Sequence, residues 1–151
     1  AGYGKVGAFE GFCSGGGIAR LACRMRRGWA ERGEHPAWSE TDEEMSTRAL
    51  AGYAKDGDAY ARQVFEAAGE KLGCALALLV DVLNPETIVI GSVYVRCEEL
   101  LREAMWRALR REALAQTVEG LQVLPAQTGE QIGDLAAVMV AEYGLAKKRG
   151  L

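Results

Sequence analysis

A glycine and a serine placed directly behind a β-branched run are the residues in this chain best suited to holding a small molecule. Asn84 to Glu98 reads N-P-E-T-I-V-I-G-S-V-Y-V-R-C-E: a proline-stopped helix end, the run Thr87 to Ile90, and Gly91-Ser92 opening another helix. A strand that delivers its last residue into such a turn brings backbone close to a ligand through the glycine. It also offers the unpaired N–H groups of a helix start. Any helix–strand–helix crossover needs a turn at this point, so the residues alone leave a ligand turn and a purely structural turn both open.

Other residues with chemical potential are fewer. Ser14 precedes Gly15-Gly16-Gly17 at the head of a helical pattern. Three glycines weaken a first turn, so either something packs closely there or the N–H groups hold an anion. Cys13, Cys23, Cys74 and Cys97 form no C-x-x-C pair, and the one histidine, His35, lies in a polar stretch without a cysteine beside it. That spacing predicts neither a metal site nor a disulfide, and free thiols fit a reducing cytosol. Asp81 and Asp134 are the carboxylates nearest apolar helices, and helix-surface or capping roles are expected of both. No residue has the surroundings of a general base, so no catalytic residue is assigned.

The elements that must position these residues follow from periodicity. With 151 residues, 49% of them apolar and 26% charged, one soluble domain with a real core is expected. A net charge of −3, with Lys147-Lys148-Arg149 as the sole basic run, gives no sign of a nucleic-acid surface. The most apolar window, Cys74 to Leu83, is too short to span a bilayer. Residues 1–12 read as glycine-rich loop. Ile18, Leu21, Ala22, Met25 and Trp29 mark an amphipathic helix capped by Ser14. Residues 31–45 read as a polar surface loop, and Ser46 caps a short helix over Thr47 to Lys55. Asp58 caps a long helix from Ala59 to Leu83 whose second half, apolar nearly all round, is expected to be buried. Gly69, Gly73 and Ala77 make a smooth stripe on it for a close neighbour. Beyond the central turn, a helix over Glu98 to Leu114, a strand over Leu121 to Leu124, a loop over Ala126 to Asp134 and a tightly buried helix over Leu135 to Ala146 are expected. Two strands do not complete a doubly wound domain, which predicts that other strands of the fold lie elsewhere.

Five segments in one order carry a resemblance: G-K-V-G-A-F-E over 4–10, S-G-G-G-I-A over 14–19, G-D at 57–58, L-N-P-E-T-I-V-I-G over 83–91, and G-E-Q-I-G over 129–133. The set resembles the C-terminal half of the ROK family of bacterial sugar kinases and sugar-responsive repressors, and it extends over nearly all of residues 1–151. The resemblance implies an α/β fold, the helix-rich C-terminal lobe of an actin-like ATPase (ribonuclease H-like) with an incomplete sheet in this chain. A homodimer is expected, with exposed parts of the 14–33 helix as the candidate contact, and the thiols, hydropathy and charge noted above predict a cytoplasmic protein with no membrane or nucleic-acid contact through this chain. The family's zinc loop runs C-x-C-G-x-x-G-C-x-E. Here Ala1, Tyr3 and Ala8 stand at the cysteine positions while Gly4, Gly7 and Glu10 match, so no zinc is expected.

By the same resemblance Glu10 falls where relatives place a glutamate that binds sugar hydroxyls, a role suited to a carboxylate's several lone pairs. Gly91 and Ser92 fall at an adenosine-binding Gly-Gly turn whose second glycine is replaced here. The phosphate-binding loop, the general-base aspartate and the second sugar motif of such kinases precede the zinc loop and are not in this sequence. An intact kinase would use ATP and Mg²⁺ on a hexose or amino-hexose with the help of an N-terminal lobe. This chain alone is expected to be inactive. Two alternatives are a sugar-sensing repressor of the same family and a non-catalytic assembly module.

Overall fold

A computed structural model describes residues 4–39, 45–127 and 132–148. The elements run α1 (Glu10–Cys13), α2 (Gly15–Ala30), a 3-10 turn (Ala37–Ser39), α3 (Thr47–Lys55), α4 (Ala59–Leu83), β1 (Thr87–Ile90), α5 (Val93–Glu112), α6 (Ala115–Val118), β2 (Gln122–Pro125) and α7 (Ile132–Lys148). Three helices start on the expected caps. Ser14 accepts from Gly17 N at 3.0 Å, Ser46 from Ala49 N at 3.1 Å and Asp58 from Ala61 N at 2.7 Å. At the far end of α4, Asn84 turns left-handed (φ 44°) and Pro85 prevents continuation.

The α4–α5 pair is the centre of the packing, and glycine makes it possible. A methyl group on Gly69 would lie 2.7 Å from the Leu101 carbonyl, and one on Gly73 only 2.2 Å from the Met105 carbonyl. The smooth stripe on α4 is therefore the seat of α5. Arg107 ties the two helices at their rim through Glu66 (2.7 Å) and Glu70 (3.4 Å). Ile18, Leu50, Val64, Phe65, Met105 and Leu109 are wholly buried around this pair.

The triple glycine resolves as close packing at one position. A methyl on Gly17 would sit 2.7 Å from the Glu10 carbonyl, so α1 lies directly against the first turn of α2. Asp81 is structural as well. Its carboxylate accepts from Leu114 N (3.0 Å) and Thr117 Oγ1 (2.7 Å), capping α6 from α4. The short α1 and α6 carry too little pattern to be legible in the sequence.

Several expectations are corrected. The 31–45 stretch is not merely a surface loop, because Pro36, Trp38 and Met45 are buried. Trp29 holds Trp38 edge-on at 6.2 Å, and Trp38 Nε1 donates to Asp58 at 3.1 Å. The helix after the central turn begins at Val93, five residues before Glu98, because the Gly-Ser turn itself starts it. The second half of α4 is buried on one face only, at Leu76, Ala77 and Val80. Leu78, Leu79, Val82 and Leu83 are exposed, since no described element covers them. Nor is α7 buried: Leu135, Val138, Met139, Val140 and Tyr143 face solvent. Gly133 belongs to α7 rather than to a loop, and Gly129 lies outside the described residues.

Among the described residues the sheet has two strands. β1 pairs in parallel with β2, Thr87 opposite Gln122 and Ile90 opposite Pro125. Parallel sheets elsewhere are wider and covered on both faces. Here Val89 and Leu124 remain open, and β1 has no partner on its second edge among the described residues.

Candidate functional site

Gly91 and Ser92 stand where β1 hands the chain to α5. Ser92 takes φ 56° and ψ −123°, a conformation that favours glycine and costs an ordinary residue about 1–3 kcal/mol. Its hydroxyl makes no capping bond to α5, so the first N–H groups of that helix have no side-chain cap. Gly91 has room around it: a methyl there would meet Ala126 Cβ at 3.9 Å, ordinary contact.

Glu10 opens α1, half-buried, and is anchored through the α1–α2 contact at Gly17. The fold brings it to the same place as the turn. Glu10, Ser14, Ile90, Gly91, Ser92 and Tyr94 line one cavity of about 390 Å³, floored by apolar side chains from α4 and α5. All three residues singled out from the sequence therefore line one cavity. The size is that of a small-molecule site, mostly apolar with a few polar groups.

Two further residues of this cavity were not legible in the sequence. The Tyr94 hydroxyl is buried without a hydrogen-bond partner, an exception in a folded protein. A tyrosine inside an apolar helical stripe gives no sign of that. Cys13 donates its thiol to the Ala68 carbonyl at 3.7 Å, and burial pushes its pKa up to about 12. It is therefore a neutral wall group, not a nucleophile. All four cysteines are free thiols. Among the described residues no group of three His, Cys, Asp or Glu side chains could hold a metal ion, and no helix is long and apolar enough to cross a membrane.

Comparison with known proteins gives this geometry a family. The ROK family model matches residues 2–143. A glucokinase from Halalkalibacterium halodurans is 30% identical over 132 residues, 86% of this chain and 39% of that protein. A crystal structure of a ROK family transcriptional regulator, a homologue of the E. coli MLC protein, superposes with TM-score 0.69 at 25% identity, over 83% of this chain and 30% of that one. A ROK family glucokinase from Streptomyces griseus, solved with glucose and AMPPNP, gives TM-score 0.69 at 22% identity, over 85% of this chain and 42% of that one. The chain spans between 24% and 39% of the length of the curated relatives it matches. Its fold is that of the ROK sugar kinases, an actin-like ATPase fold represented here by a helix-rich part with a small sheet. With residues 2–143 matching one family model, the chain belongs to the ROK family.

Proposed function

We propose that this chain is the C-terminal part of an ATP-dependent sugar kinase acting on a hexose or amino-hexose. The observation that carries the reading is the convergence of Glu10, Gly91 and Ser92 on one cavity. The similarity to a glucokinase supports it. Glu10 would accept hydrogen bonds from vicinal sugar hydroxyls and fix the ring's orientation. Gly91 and Ser92 would lay bare backbone against the adenosine, beside the uncapped start of α5.

The base and the phosphate clamp would come from an N-terminal lobe outside this sequence. Further strands would extend the sheet from the open edge of β1 and cover Leu78, Val82 and Val89. Mg²⁺ would accompany ATP in the intact protein; the described residues include no cluster of three or more His, Cys, Asp or Glu side chains, and no step here is routed through the ion. A cytoplasmic homodimer, joined through the exposed face of α2, completes the proposal.

A second reading, a sugar-sensing repressor, is favoured by the similarity to the MLC-type regulator. It would use the same sugar contact without turnover. Calorimetric titration of this chain with glucose, N-acetylglucosamine and AMPPNP tests the site. Glu10→Gln should weaken sugar binding about tenfold, the loss of one charge-assisted hydrogen bond. Gly91→Val, whose Cβ would meet Ala126 Cβ at an ordinary 3.9 Å, should block the nucleotide, and a melting temperature measured beside it separates that loss from misfolding. Ligand binding indifferent to both substitutions would sink the reading. ATP consumption by the parent protein, with and without sugar, separates kinase from repressor.

A further inference from the structure

Two polar side chains of the Glu10–Gly91 cavity are already bonded within the fold, and a third is not. Ser14 accepts from Gly17 N at 3.0 Å, and Cys13 donates to the Ala68 carbonyl at 3.7 Å. Tyr94, 2% exposed, lines the same cavity, and its hydroxyl has no hydrogen-bond partner. Two charged groups act on the phenol, Glu98 and Arg102, and they are paired with each other at 3.2 Å. A buried phenol normally finds a partner, and an unpaired one lowers stability. Folds tolerate such broken rules chiefly at functional sites.

The rest of the wall decides what kind of ligand group fits beside Tyr94. Ile18, Ala68, Leu72, Val93 and Leu101, all buried, make up much of it. A hexose set among these side chains would leave several of its hydroxyls desolvated and unpaired. A flat heteroaromatic base instead brings apolar faces to the same side chains, and its rim carries ring nitrogens that accept hydrogen bonds. Burial, with Glu98 acting in the same sense, holds the Tyr94 phenol above its ordinary range. The hydroxyl is therefore protonated at neutral pH and serves as a donor.

We propose that Tyr94 selects the base of the nucleotide, its O–H donating to a ring nitrogen of adenine while the base rests on Ile18, Leu72 and Leu101 beside the Gly91-Ser92 turn. The phenol swings toward the cavity as the base enters, exchanging an unpaired hydroxyl for a hydrogen bond. This inference rests on the adenosine half of the reading above and goes beyond it by naming the residue that recognises the base. A site that offers one buried donor rejects a ligand lacking the matching acceptor, because the donor is then left unpaired.

Calorimetric titration of the full chain with AMP and its three deaza forms, each with one ring nitrogen replaced by carbon, is the test. Wild type should bind AMP saturably and bind one deaza form about fivefold or more weakly, the form lacking the accepting nitrogen. Tyr94→Phe should bind AMP as weakly as wild type binds that form, and should bind the two equally. A purely structural tyrosine would not remove the difference between two ligands. Because the hydroxyl is unpaired in the free protein, Tyr94→Phe should melt no earlier than wild type, which separates lost affinity from misfolding. Equal binding of AMP and all three deaza forms by wild type, or the same discrimination in Tyr94→Phe, would overturn the proposal. AMP binding lost in Gly91→Val but untouched by Tyr94→Phe overturns this inference and leaves the adenosine reading standing. No saturable AMP binding, or binding that Gly91→Val does not disturb, overturns both.

Discussion

Along α4 the large apolar side chains of two neighbouring stretches meet opposite surroundings. From Ala61 to Leu76 the inward residues are walled by α1, α2, α3 and α5. From Leu78 to Leu83, four large apolar side chains stand in solvent. A helix that is apolar all round needs neighbours all round, and the second stretch has them among the described residues only on the side of Val80. The contrast separates what a sequence pattern demands from what this length of chain supplies. An apolar patch of this kind marks a surface made to be covered.

Substitutions can sharpen that contrast or break it. The largest effect is expected at Gly73→Ala, which must push its new methyl into the Met105 carbonyl. A loss of about 3 kcal/mol in urea unfolding is expected, and a neutral outcome would mean that α5 does not sit where described. Next, Leu76→Ala should cost about 2–3 kcal/mol, since Leu76 is 4% exposed, whereas Leu78→Ala, at 72% exposed, should stay within about 0.5 kcal/mol. Equal costs would show that the second half of α4 is covered in solution, for instance by a second molecule. Tyr94→Phe removes a buried hydroxyl that has no partner and should stabilise this chain by about 1 kcal/mol. A loss instead would reveal a partner for that hydroxyl. The smallest effect concerns pH. Cys13 is raised by burial from 9.0 to about 12, so the folded state favours the neutral thiol. Its contribution is complete below about pH 9 and is lost as pH rises toward 12, and Cys13→Ala should flatten that alkaline decline.

Legibility in the sequence followed locality. Ser14, Ser46 and Asp58 as caps, the α3 and α4 boundaries, the stripe at Gly69 and Gly73 and the β1 run all rest on rules that act within a few residues. The Gly91-Ser92 turn was visible for the same reason, and Glu10 needed the family register. The failures were matters of tertiary context. Trp38 and Pro36 sit in a polar stretch yet are buried, and Trp38 is held by Trp29 and by Asp58, twenty residues on. The exposure of α7 and of the end of α4 depends on which neighbours are present, and helical periodicity carries no information about that. Arg48 and Lys55 from α3 line one cavity with Arg96 from α5, a tertiary grouping that no spacing announces.

The missing side chain of Gly17 also sets a dimension. Because α1 rests on that bare backbone, the height of Glu10 above the cavity floor is fixed by an atom that is not there. Gly17 thus works as a machinist's shim of zero thickness, and any residue placed at 17 would lift the carboxylate as a lever lifts its load. Reacting groups tolerate little such error, since a misplacement of about 1 Å can cost roughly a hundredfold in rate. The tolerance of the proposed sugar contact is therefore held seven residues away, by a position outside the residues that line its cavity.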